Sequence, residues 1–164
     1  MVDSIVNAIV DFFGNDVPSQ LLVFLISLFP VLELRGGMIA ARLFELDFIQ
    51  AFLISYIGNM LPIPFILLFI RKIFKWMRKI PAFSKIVDKM ESRAYKNQDK
   101  ILKYKEWGLL LFVAIPLPGT GGWTGALIAA VMDLRMKKSL PIIALGVFIA
   151  GLIMSFITYG IFQI

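Results

Sequence analysis

From Leu21 to Leu43 the chain is oily except at Pro30-Val31-Leu32-Glu33-Leu34-Arg35-Gly36-Gly37, where a proline, a carboxylate, a guanidinium and two glycines fall together. A helix crossing a bilayer through this run carries Glu33 and Arg35 near the centre, at about 3 kcal/mol each on insertion scales. A helical hairpin that dips in and returns fits better. Ser19 to Phe29 as one limb reaches roughly 16 Å, about half of a hydrocarbon core of about 30 Å. Pro30 removes a backbone donor, and Gly36-Gly37 permit a tight reversal. Irregular backbone at that depth survives only where it is buried in protein or faces a wet cavity, so a cavity is expected at this tip.

Trp107 to Met132 presents the same problem in another form. It holds no charged residue, yet its middle reads Pro116-Leu117-Pro118-Gly119-Thr120-Gly121-Gly122-Trp123-Thr124-Gly125. Two prolines and four glycines do not suit a continuous helix, so this is read as a second inward-dipping hairpin. Two runs are long enough to span. Phe48 to Ile70 is kinked by Pro62 and Pro64 and has Ser55, Gly58 and Asn59 on one small, polar face, and Leu140 to Ile161 carries Gly151 and Ser155 as a packing face. Val2 to Phe13 has the spacing of a short amphipathic helix lying in the interface, followed by a turn and an N-cap at Ser19. Met-Val-Asp-Ser lacks the basic region of a secretory signal, so this helix is expected to be retained.

Hydrophobic residues make up 59% of the 164, which places the chain in the membrane class as one all-α domain over residues 1–164. Its parts are a first half to residue 70 that includes the interfacial helix, a connector over 71–106, and a second half over 107–164. Zero cysteines and zero histidines exclude disulfides and thiolate metal sites and remove the usual general base. No metal, cofactor or enzymatic activity is expected. Twelve of the seventeen Lys and Arg lie between Arg71 and Lys105. The first of these, with Ile73, Phe74, Trp76, Met77 and Ile80, form a basic amphipathic segment on the inner surface, followed by a charged helix over 83–105 in the cytosol. A nucleic-acid partner is set aside, because neither stacking aromatics nor a binding-fold signature accompanies the block.

An ungapped offset of 88 pairs Pro30 with Pro118, Gly37 with Gly125, Ala41 with Ala129, Glu45 with Asp133, Leu46 with Leu134 and Gly58 with Gly146. Each half then reads as re-entrant hairpin, acidic exit, transmembrane helix, and one span per half makes the arrangement an inverted repeat. Both termini lie outside in a multi-pass cell-membrane protein. Asp3, Asp11, Asp16, Glu45 and Asp47 fall outside, while the basic block, Arg135, Lys137 and Lys138 fall inside.

Pro-x-x-Glu-x-Arg-Gly-Gly in the first half and Pro-Leu-Pro-Gly-Thr-Gly-Gly-Trp-Thr-Gly in the second resemble the family named for putative small multidrug export proteins, over nearly the whole chain. That family in turn is similar to the DedA group of membrane proteins. The resemblance implies two re-entrant hairpins in inverted arrangement, each followed by a transmembrane helix. It also implies transport: proton-coupled export, or the flipping of lipid carriers such as undecaprenyl phosphate. Acidic residues of the first hairpin and arginines of the second are implied to matter. Glu33 matches the former, but Trp107 to Met132 holds no arginine, which leaves Arg35 and Arg42 as the deep or near-deep cations.

Glu33 and Arg35 lead the candidates, since ionisable groups at mid-membrane depth usually mark a substrate or proton path. The alternative is a buried pair that only pins the tip. Arg35 stays charged and can hold a phosphate or other anion, while Glu33 can carry a proton. Gly119, Thr120, Gly121, Gly122, Trp123 and Thr124 offer backbone donors and hydroxyls at a half-helix N-terminus, either as an anion cradle or simply as a bend. No Lys follows the glycines, which rejects a nucleotide-binding loop. Asn59, with Ser55 and Tyr56, either lines a polar path or bonds across helices. Glu45, Asp47 and Asp133 at the water boundaries are secondary. The expected activity is a transporter or lipid translocase for a membrane lipid or small molecule, working at a midplane site between opposed tips. A membrane scaffold or assembly factor is the alternative, and a homodimer is the favoured assembly.

Overall fold

The computed structural model describes residues 17–77, 79–80, 84–85, 87–89, 91–92, 107–117, 119–132 and 134–160, with no strand among them. Helices α1 (Ser19–Leu28) and α2 (Glu33–Leu43) lie side by side. Then follow α3 (Phe48–Met60) and α4 (Ile63–Met77). The second half holds α5, helical over 107–114, α6 (Gly122–Val131) and α7 (Met136–Ser155), which ends in a π-helical turn at Phe156–Gly160.

Local chemistry sets these limits. Phe29 is extended, as a residue before proline prefers, so α1 stops there. α2 ends with Leu46 N–H donating to the Ala41 carbonyl at 2.9 Å across Glu45, which takes a left-handed φ of 58°. Asp47 then caps α3, its Oδ1 accepting from the N–H groups of Ile49 at 3.0 Å and Gln50 at 3.1 Å. At the end of α6, Leu134 N–H donates to the Ala129 carbonyl at 2.9 Å. Pro62 and Pro64 break α3 from α4 and sit where a first turn tolerates a missing donor.

α1, α2 and α3 pack on one another, α4 packs on α6, and α7 touches α2, α3, α4 and α6. One buried cluster therefore draws on both halves, from Val23, Ile26, Leu34 and Met38 to Val113, Ile128, Ile143 and Val147. Small residues permit the approach. A Cβ on Gly37 would overlap Ser27 Oγ and lie 2.7 Å from Ser55 Oγ, and one on Gly58 would sit 2.8 Å from the Phe24 carbonyl oxygen. Gly125 and Gly146 stand in the same relation to Val113, at 2.5 Å and 2.8 Å.

Several boundaries differ from expectation. Gly36-Gly37 do not make the reversal: residues 29–32 turn the chain, α2 begins at Glu33, and both glycines serve close packing inside it. Ser19 is the first helical residue and not the cap, which is Pro18. α4 runs on through Arg71-Lys72 to Met77, because the apolar spacing continues and buries Phe74. α7 starts at Met136, four residues before the oily run, since Lys137 and Lys138 are good helix formers. Gly151 and Ser155 do face inward as a packing face, with Gly151 against Phe52 and Leu34. The charge-free run is two helices separated by irregular backbone, as its prolines and glycines imply. The interfacial helix over 2–13, most of the helix expected over 83–105, and Pro118 lie outside the described residues.

Two helical stretches are long and apolar enough to cross a membrane, Phe48–Ile70 and Met136–Gly160. Leu53, Ile57, Leu61, Phe65 and Leu68, each at least half exposed, form an apolar stripe along the first of these. In water this would be an aggregation face; against lipid it costs nothing. Gly37→Val should destabilise the protein by about 1–3 kcal/mol through overpacking against Ser27 and Ser55. A lowered unfolding temperature in detergent checks this, and an unchanged one removes the close approach as a structural requirement.

Candidate functional site

The charged start of α2 meets the broken middle of the second half. Glu33, 5% exposed, projects its carboxylate onto the N-terminus of α6, where Oε2 accepts from Gly122 N–H at 3.0 Å and Oε1 from Trp123 N–H at 3.2 Å. Those N–H groups have no partner within the helix, and the carboxylate supplies one where water does not reach. Two bonds to a charged group at about 1.5–3 kcal/mol each offset the cost of burying the carboxylate, so it is held rather than stranded.

Arg35 takes the opposite end. Its guanidinium donates to the carbonyls of Leu117 and Ile115, just past the C-terminal end of α5, and to Thr120 Oγ1 at 2.9 Å. Thr120 Oγ1 lies 2.8 Å from both carbonyl oxygens and accepts from Leu117 N–H at 3.2 Å, which closes the loop on itself. A cation at a helix C-terminus and an anion at a helix N-terminus are the favourable signs for a helix dipole. Arg35 thus finds its hydrogen-bond partners in the second half, and Glu33 finds its two backbone donors there, rather than in each other.

The backbone is cut to receive the carboxylate. Gly121 has φ of 124°, and a Cβ there would run into the Glu33 carboxylate. Glu33 itself holds a left-handed φ of 51°, rare for a residue with a Cβ and a mark of a site fixed by its surroundings. Gly119, at φ of 83°, makes the bend with nothing beside it. Asn59 from α3, 2% exposed, faces the same carboxylate with its amide, while its Oδ1 has no hydrogen-bond partner among the described residues. Trp123 Nε1 and Ser55 Oγ are buried and unpartnered too. An apolar cleft of about 400 Å³ opens beside the tip, lined by Leu28, Phe29, Pro30, Leu61, Pro62, Phe65 and Trp123.

Glu33, Arg35, Asn59, Thr120, Gly121, Gly122 and Trp123 therefore converge as one site, with Thr124 half-buried beside it. Of the glycine run, the N–H groups of Gly122 and Trp123 are taken by the Glu33 carboxylate. Arg42 does not join it: at the far end of α2, its guanidinium stands 5.5 Å over the Tyr159 ring and lines an open cavity of about 640 Å³ with Glu45, Asp47, Phe48, Leu152 and Phe156. Asp133 lies outside the described residues. Pattern alone missed Tyr159, whose hydroxyl donates to the Leu46 carbonyl at 3.0 Å, and the Ile115 and Leu117 carbonyls, which act through backbone that no side chain announces. Among the described residues no cluster of three or more His, Cys, Asp or Glu could hold a metal.

A family model described as "Putative small multi-drug export protein" matches residues 33–153. The chain belongs to this family. The match begins at Glu33 itself and takes in every residue of the convergent site, but leaves out residues 1–32 and 154–164, so it is narrower than the motifs implied. No curated protein and no solved structure matches the chain. In this family member Glu33→Ala should cost about 1–3 kcal/mol by orphaning two buried N–H groups, and Gly121→Ala should cost at least as much. Unfolding of the purified variants in detergent measures both; a Glu33→Ala protein as stable as the wild type would remove the cap as a source of cohesion.

Proposed function

We propose that this protein is a transporter or lipid translocase of the cell membrane, moving an amphipathic substrate with an anionic group through a mid-membrane site between two opposed hairpins. The observation that carries this is the Glu33 carboxylate of one half seated on the α6 N-terminus of the other. A carboxylate occupying a helix-end anion site holds the place of an external anion, and Arg35 beside it, partly exposed, keeps donors for the same group. The apolar cleft at the tip offers room for a hydrophobic body. In this reading Glu33 takes the proton that couples transport, and rocking of one half against the other alternates access.

The hairpins are read as re-entrant and the halves as an inverted repeat. In support, α1 and α6 have only ten residues each, about half the length a span needs. Leu46–Ala41 and Leu134–Ala129 repeat one stop signal at the offset of 88, and Tyr56 O–H donates at 3.2 Å to the carbonyl of Ala144, its own counterpart at that offset. Glu45 and Asp47 then face outside with both termini, and Lys72, Lys75, Lys137 and Lys138 face the cytoplasm. This is also the arrangement of the DedA group, with which the motifs share a likeness. The apolar stripe on α3 and α4 is the face that lipid tails, or a second copy in a homodimer, would cover.

Two measurements test this. The chain has no cysteine, so Glu45→Cys should react with an impermeant maleimide in intact cells and Lys137→Cys only after lysis; the reverse result overturns the orientation. Purified protein in proteoliposomes should accelerate movement of a fluorescent isoprenyl phosphate under a pH gradient, with Glu33→Gln and Arg35→Lys each slowing it tenfold or more. A scaffold moves nothing, and undiminished flux in both variants ends the assignment of the site.

A further inference from the structure

We infer that Asn59 is the hydrogen-bond partner of the protonated Glu33, so that Glu33 and an external oxyanion exchange places on the N–H groups of Gly122 and Trp123. This rests on the proposed transport function and adds to it the class of ligand and the residue that makes the exchange workable.

The amide of Asn59 faces the Glu33 carboxylate while its Oδ1 is buried without a partner among the described residues. An unpartnered buried acceptor costs about 1–3 kcal/mol, so a site that keeps one has a use for it in another state. A primary amide presents a donor on one side and an acceptor on the other, and a half-turn about its terminal bond exchanges them. Ionised Glu33 needs donors and takes them from Gly122 N–H, Trp123 N–H and the Asn59 amide. Neutral Glu33 has an O–H that needs an acceptor, and neither backbone N–H can serve. Asn59 Oδ1 can, with the proton taken up from water.

Once Glu33 turns to Asn59, the two N–H groups at the α6 N-terminus are left for another acceptor. The geometry that fits a carboxylate bidentate across them suits a carboxylate or phosphate monoester, with the guanidinium of Arg35 alongside. Arg35 is the one charged side chain that bears on Glu33 among the described residues. α3 and α6 contribute Asn59, Gly122 and Trp123, α1 has no titratable side chain, and Lys137 and Lys138 of α7 lie in its first turn. Anion binding and proton uptake at Glu33 are thereby one event.

The test uses the full chain in detergent, with dodecyl phosphate as the probe. Wild type should take up close to one proton per probe bound in weakly buffered solution, with binding that strengthens as pH falls. Glu33→Gln should bind the probe with no proton uptake. In infrared difference spectra a carboxylic-acid carbonyl band, lost in Glu33→Gln, should move to the position of an acid without a hydrogen-bond partner in Asn59→Val and return towards the wild-type position in Asn59→Ser. Asn59→Val should also weaken probe binding at least tenfold at acidic pH, with Asn59→Ser recovering most of it. An unshifted band in Asn59→Val, or binding without proton uptake in wild type, overturns the exchange while leaving transport through Glu33 standing. Failure of dodecyl phosphate to bind overturns the exchange as well, because no anion then takes the freed N–H groups. Undiminished transport in Glu33→Gln would instead overturn the function on which it rests.

Discussion

A helix that stops inside a hydrophobic layer leaves four N–H groups or four carbonyls without partners, and lipid offers none. The second half of this chain has both kinds of end close together, where α5 stops and α6 starts. Glu33 and Arg35, two residues apart on one turn of α2, answer them with the matching charges. The rest of the architecture serves that meeting. Gly37 and Gly58 bring α1, α2 and α3 together, Gly125 and Gly146 do the same for α5, α6 and α7, and α7 crosses to the first half so that the α2 tip is carried to the gap.

Much of this was legible in the residues. Glu33 and Arg35 are conspicuous because a charge in an oily run has a cost that composition alone reveals, and Pro116 to Gly125 declares a break because no ordinary helix tolerates it. Patterning found the breaks and the two helical stretches long and apolar enough to cross a membrane. It did not find which side chain meets which. Gly36-Gly37 look like a turn, since glycine serves both reversals and close packing, and only the positions of Ser27 and Ser55 decide between them. The partners of Arg35 are carbonyls of Ile115 and Leu117, whose side chains carry no polar signal. Arg42 looked deep because hydropathy reports neighbours in sequence; in space it belongs with Tyr159, more than a hundred residues away.

Two kinds of cap sit in this protein and they are built differently. At the water boundary Asp47 caps α3 from the adjacent position, a local device that forms with the helix and needs nothing else. At the tip the cap comes from the other half of the chain, across 89 and 90 positions, and it exists only while the two halves are docked. A structural cap is cheapest when local, and Ser or Asp at position 121 is the residue type that would normally supply it. The chain has glycine there instead, in a conformation that a side chain would strain, and the space is taken by Glu33.

That substitution of a distant cap for a local one has a consequence for motion. A local cap leaves with its helix, whereas a cap from the opposing half must be broken whenever the halves separate, and breaking it exposes a bare carboxylate and a bare helix end at the same instant. In the proposed transport cycle both are costly in hydrocarbon, so separation is favourable only when something else satisfies each: a proton for the acid, an anion for the helix end. The cost that holds the halves together in their docked state is therefore the same cost that would forbid an empty, unprotonated site from opening. Coupling of the proposed kind needs no additional gate, because the lock and the proposed anion compete for the same two N–H groups.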